Sequence, residues 1–133
     1  RALDADEYGN VRVPKTRQTK EVMGPLRWMA PEQQLSQVVS TASDVWAYGC
    51  VLVECYARAV PFAHIAQPTD VALAVMSGAV PAVPDAAPPV VARVMRRVFT
   101  AEHTQRPSMR EIIMMFGAHG FGGASAADAG YDE

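Results

Sequence analysis

The densest apolar run in the chain follows Asp44, where Val45, Trp46, Tyr48, Cys50, Val51, Leu52, Val53, Cys55 and Tyr56 surround most of a helix. A helix apolar on nearly every side is expected to be buried, and so to be the rod on which the other elements assemble. Thr41-x-x-Asp44 predicts its start as a capping-box-like pair, and Pro61 predicts its end. A second stripe, Val90, Val91, Val94, Met95, Val98 and Phe99, recurs in pairs at helical spacing behind Pro88-Pro89, where proline is tolerated at a helix start. Arg93, Arg96 and Arg97 fall on the opposite face and read as solvated. Between these two elements Thr69 predicts a capped helix running to Ser77, with Gly78 as its stop. Ser108 and Glu111 form a capping-box pattern for a last helix that is expected to bury Ile112, Ile113 and Phe116. A weaker signal after Pro31 allows a short helix between Glu32 and Val39.

The remaining segments lack a period. Residues 1–23 are polar, broken by Gly9, Asn10 and Pro14 and studded with Arg12, Lys15, Arg17 and Lys20, so an exposed loop is expected. Residues 79–87 read as a linker rich in proline and alanine. Beyond Gly117 the chain is glycine, alanine, serine and aspartate, too poor in apolar residues to order itself, and a loose tail is expected. Glycines near Gly120 lack the preceding strand that a phosphate-cradling loop needs.

Composition narrows the class. A chain of 133 residues forms at most one modest domain, in which only about two thirds of the unfolded surface is buried. A net charge of −2, with the cations spread among acids, gives no electrostatic ground for nucleic-acid binding. The apolar run from Val45 to Phe62 is interrupted by Glu54 and Arg58, which argues against a membrane span, and no cleavable signal occurs. Cys50 and Cys55 match neither a zinc knuckle nor a redox pair and read as buried, reduced thiols, pointing to the cytosol. His64, His103 and His119 have no ligand spacing, so no metal site is expected.

Three short elements then fall in one order: Gly24-Pro25-Leu26-Arg27-Trp28-Met29-Ala30-Pro31-Glu32, Ser43-Asp44-Val45-Trp46-Ala47-Tyr48-Gly49, and Arg106-Pro107-Ser108. Together they resemble the back half of a protein kinase catalytic domain, in which A-P-E closes the activation segment and D-x-W-x-x-G and R-P-S follow on the helical lobe. The resemblance covers residues 1–117. Arg1-Ala2-Leu3 is similar to the residues that follow D-F-G, and the Gly-rich loop, strand lysine, H-R-D loop and D-F-G motif do not occur in this sequence. The chain is therefore expected to be a kinase fragment starting just past the metal-binding motif. The fold expected is mainly α, the helical C-terminal lobe of a kinase-like α+β fold without its N-terminal lobe and catalytic loop. Residues 1–29 would be activation segment and substrate wall, 30–117 the helical lobe, and 118–133 a disordered tail.

The resemblance also implies roles for particular residues. Glu32 and Arg106 would form a buried ion pair, a planar guanidinium fork suiting two carboxylate oxygens. Asp44 would be the acid at the start of the central helix that receives N–H groups of the catalytic loop; the residue alone reads as a first-turn aspartate favoured by the helix dipole. Pro25, Leu26, Arg27 and Trp28 would form the wall that receives the residue being phosphorylated. Proline at position 25 is the tyrosine-kinase form, its ring supporting a flat phenol, whereas serine/threonine kinases usually carry a threonine there; a turn-forming proline in a tyrosine-kinase-like serine/threonine enzyme is the competing reading. Tyr8, within Asp4-Ala5-Asp6-Glu7-Tyr8, resembles an autophosphorylation tyrosine, with Thr16 and Thr19 as weaker sites. Val98, Phe99 and Glu102-His103 depart from the tyrosine-kinase pattern in packing positions only.

The function implied is transfer of the γ-phosphate of ATP to a protein hydroxyl, with signalling as its context. ATP and Mg²⁺ would serve the complete domain, and this chain would bind neither, hold no catalytic residue and be inactive alone. A protein substrate and the rest of the kinase domain are the partners implied, in the cytoplasm or on the cytoplasmic side of a receptor. A pseudokinase or docking module is a competing class, selected by an upstream sequence lacking the catalytic or metal-binding aspartate. A free-standing helical protein is a third, which would leave an apolar patch on the central helix.

Overall fold

A computed structural model of the chain describes residues 25–118 and the backbone of Val11–Arg12. Among the described residues five helices follow one another, α1 (Pro31–Ser36), α2 (Thr41–Ala57), α3 (Pro68–Met76), α4 (Pro89–Val98) and α5 (Met109–Ala118), with short 3₁₀ turns at Leu26–Trp28 and His103–Gln105. One feature was not expected of the polar N-terminal loop: β1 (Val11–Arg12) pairs antiparallel with β2 (Val38–Val39), Val11 opposite Val39 and Arg12 opposite Val38. Two valines after α1 supply the β-branched partner strand.

The first turn of α2 is capped one residue earlier than the sequence pattern predicts. Ser40, extended at φ −149°, accepts from the Ser43 amide at 3.2 Å, and the Ser43 hydroxyl lies 2.8 Å from the Ser40 amide nitrogen. Thr41 is thus inside the helix, and Asp44 takes no part in the cap. The far end comes before Pro61: Arg58 turns left-handed at φ 53°, and its amide donates to the Glu54 carbonyl at 2.9 Å. Helix α3 likewise begins at Pro68 behind Gln67 rather than at a Thr69 cap, while Gly78 at φ 101° follows its end.

Helix α2 packs against α4 and the 3₁₀ turn at Leu26–Trp28, and α4 against α5. Val45, Trp46, Cys50 and Val53 of α2 share the core with Val90, Val91, Val94, Met95 and Val98 of α4, Val71 and Val75 of α3, and Ile112 of α5. The expectation that α2 is buried on all sides fails. Val51 is 49% exposed and Cys55 is exposed, because among the described residues the layers lie against only one side of the helix. Ile113 is also exposed, at 65%, since α5 meets α4 through a single edge. Helix α5 extends to Ala118, one residue past the point where order was expected to end.

At Gly49, α2 approaches the end of α4 closely. A Cβ at this position would lie 2.4 Å from Val98 Cγ2 and 3.0 Å from the Phe99 ring. Replacing glycine by alanine inside an exposed helix gains about 1 kcal/mol from propensity, but here overpacking, at ~1–3 kcal/mol, acts against it between two rigid elements. Gly49→Ala is expected to lower the urea midpoint, and Gly49→Ala with Val98→Ala to restore part of it. A midpoint raised by the single change would show that the helices can slide apart without cost.

Candidate functional site

The segment from Pro25 to Ala30 is held to the helical layer at nearly every residue. Pro25 is exposed and accepts the Trp28 amide at 2.9 Å, closing the 3₁₀ turn. Leu26 points into the core at 7% exposure, and its carbonyl accepts the Gln34 side-chain amide at 2.9 Å. The Arg27 guanidinium donates to four carbonyls between α2 and α3, those of Pro61, Phe62, Ile65 and Ala66. Trp28 Nε1 donates to the Glu54 carboxylate on α2. Ala30 is fully buried, and its amide is capped by Gln33 Oε1 at 3.0 Å as Pro31 opens α1.

Of the four residues assigned to the wall by sequence, Pro25 is exposed and Leu26 buried, while Arg27 and Trp28 are half-buried with their polar atoms bonded to the protein. Glu54 and Gln34 were not singled out by sequence reasoning. Glu54 had one signal, an acid inside an otherwise apolar helix, which calls for a donor to satisfy it. Gln34 had none, being one polar residue among others in a short helix.

A second cluster locks this segment to the stretch that leads into α5. Arg106 Nη1 and Nη2 meet Glu32 Oε1 and Oε2 at 2.7 and 2.8 Å. The same guanidinium donates to the carbonyls of Thr100 at 2.8 Å, Ala42 at 3.0 Å and Ala101 at 3.3 Å. Each of its five N–H groups therefore has an acceptor, the condition under which a buried arginine is tolerated. Its carbon Cζ lies 5.1 Å from the centroid of the Trp46 ring, which in turn meets Phe99 edge-on at 5.1 Å and 73°. Trp46 Nε1 is the one buried side-chain polar atom without a partner among the described residues.

Asp44 stands exposed in the first turn of α2 with no side-chain hydrogen bond among the described residues, where a carboxylate favours the helix dipole. Tyr8, Thr16 and Thr19 lie outside the described residues. No group of three or more His, Cys, Asp or Glu side chains among the described residues could hold a metal ion. No helix among these residues is long and apolar enough to cross a membrane.

The two cysteines part company. Cys50 is buried with its sulfur 3.8 Å from the Arg27 carbonyl, whereas Cys55 is exposed, contrary to the expectation that both are buried. Burial, aided by the Glu54 charge, pushes the Cys50 thiol from 9.0 to about 12. Burial, then Cys55 and Tyr56, also raises the Tyr48 phenol. A raised thiol leaves stability untouched below its unfolded value of 9.0 and removes it progressively as pH climbs toward about 12, because the unfolded chain ionises first. With a disulfide dye at neutral pH, one thiol per native chain is expected to react promptly and the second only in urea. Prompt reaction of both would mean that the wall detaches from α2 readily.

Across known proteins the chain matches the family model described as protein tyrosine and serine/threonine kinase, over residues 7–116. It is 36% identical to the high affinity nerve growth factor receptor of Rattus norvegicus over 68% of this chain and 11% of the receptor. It is 31% identical to vascular endothelial growth factor receptor 1 of Mus musculus over 70% of this chain and 7% of the receptor. It is also 30% identical to MAP3K epsilon protein kinase 1 of Brassica napus, over 71% of this chain and 7% of that protein. The chain thus spans about a tenth or less of the length of these curated relatives.

Proposed function

The chain belongs to the protein tyrosine and serine/threonine kinase family, and we propose that it forms the substrate wall and helical scaffold of an enzyme that transfers the ATP γ-phosphate to a tyrosine hydroxyl. The observation that carries this reading is the geometry at Pro25, which is exposed while the next three side chains anchor the turn behind it. A proline ring offers an apolar surface and no donor, so it supports a flat phenol and cannot hold a catalytic carboxylate as a threonine hydroxyl would. ATP and Mg²⁺ would be bound by the rest of the kinase domain, and the protein substrate would lie against the exposed Pro25 face of the wall that Leu26, Arg27 and Trp28 hold in place. Residues 1–29 would act as activation segment and wall, and 30–117 as scaffold. Tyr8 would be the switch: phosphorylation adds a charge of about −1.5 to −2 that Arg12, Lys15 or Arg17 could pair. Thr16 and Thr19 would be secondary sites.

The similarity to MAP3K epsilon protein kinase 1 supports a second reading, a tyrosine-kinase-like enzyme acting on serine or threonine. A peptide array offered to the complete kinase separates the two. Labelling of tyrosine peptides is expected, and labelling confined to serine and threonine would overturn the Pro25 argument. The 133-residue chain alone is expected to transfer no radiolabelled phosphate.

A further inference from the structure

We infer that Arg27 is a positioning residue for the protein substrate, setting the wall by stapling it to the loop between α2 and α3 instead of touching the substrate itself. This rests on the reading of Pro25 to Trp28 as the wall. The Arg27 Nη1 donates to the carbonyls of Pro61 at 3.2 Å and Phe62 at 2.9 Å, and Nη2 to those of Ile65 at 2.7 Å and Ala66 at 3.0 Å. Four carbonyls of one short loop converge on a single group only if the loop curls around it. The curl is visible in Phe62, a non-glycine residue at φ 56°, and in the Ile65 amide donating to the Phe62 carbonyl at 2.9 Å.

Converging carbonyl dipoles repel one another unless a cation sits at their focus, so the loop conformation depends on the guanidinium. The wall depends on it in return. The Arg27 carbonyl faces the Cys50 sulfur at 3.8 Å, and Trp28 is tied to Glu54, so the turn is anchored on α2 from one side and on the loop from the other. Pro25 closes that turn by accepting the Trp28 amide, and its height above α2 follows from both anchors. The loop leaves Ala63 and His64 exposed, so one staple fixes two stretches of surface. Lysine, with a compact ammonium in place of a planar fork, reaches fewer of the four acceptors.

The test uses the complete kinase carrying this chain, with Arg27→Lys and Arg27→Gln. The peptide KM is expected to rise roughly 10- to 100-fold for Arg27→Gln, the range that misplacement of a substrate-holding group produces. Arg27→Lys should fall between it and the parent, and the ATP KM should stay put. In the same proteins the amides of Trp28, Met29 and Ile65 should exchange hydrogen faster in Arg27→Gln while those of α4 do not. Faster exchange with an unchanged peptide KM would overturn the positioning role and leave a purely architectural staple. Unchanged exchange would overturn the staple. A parent enzyme that labels no peptide would sink the proposed activity and the substrate role with it, while the exchange result still decides whether Arg27 holds the loop.

Discussion

Arg106→Ala is expected to cost the folded chain ~3–5 kcal/mol, because the Glu32 carboxylate would be stranded where water reaches it poorly. The Arg106 side chain is 0% exposed and that of Glu32 13%. The loss extends past the ion pair: the carbonyls of Thr100, Ala42 and Ala101 would each give up a donor. A domain of this size has a total stability of about 5–15 kcal/mol, so the variant is expected to lose most of its cooperative urea transition. Arg106→Lys should recover little, since an ammonium cannot match two carboxylate oxygens and three carbonyls at once. Arg106→Met combined with Glu32→Leu is the informative control. Removing both charges spares the stranded carboxylate, so the pair is expected to be more stable than Arg106→Ala alone. A single variant that unfolds at the parent's midpoint would mean that α1 and the segment leading into α5 are not joined through this pair.

Trp46→Ala should have an effect of similar size, ~3–5 kcal/mol, the range for removing a large aromatic side chain from a core. Trp46 is fully buried, lies beneath the Arg106 guanidinium and meets Phe99 edge-on. Its truncation would leave a cavity under the ion pair and remove the π face that faces the cation. Because the two residues touch, their losses should not add, and the double variant is expected to be milder than the sum of the singles. Trp46→Phe is a gentler probe: it removes the unpartnered Nε1–H while keeping much of the ring volume. Additive losses in denaturant titrations would show that Trp46 and Arg106 act as separate supports.

Much of this was legible along the chain. The i, i+4 stripe of α4 and its opening prolines fixed a helix whose buried face is Val90, Val91, Val94, Met95 and Val98. Motif order pointed to Glu32 and Arg106 as partners, 74 residues apart. Local signals failed where two explanations competed for the same residues. Ser40 displaced Thr41 as the cap because its hydroxyl and that of Ser43 close a reciprocal pair, leaving Asp44 to the dipole alone. The apolar run in α2 carried no marker for which face would be covered, and Val51 and Cys55 proved to be exposed.

Side-chain direction was the least readable quantity. Arg27 and Trp28 sit in a segment whose pattern suggests a surface for a partner, yet both are spent on internal acceptors: four loop carbonyls for one, Glu54 for the other. Those acceptors lie 26 to 39 positions away, and backbone carbonyls carry no sequence signature at all. The sequence by itself determined which residues become helix, which faces are apolar and which charged groups need partners, since these follow from local sterics and the period of the side chains. Only the tertiary structure decided which donors and acceptors meet, because a hydrogen bond depends on positions within a few tenths of an ångström that the packing of all the helices sets together.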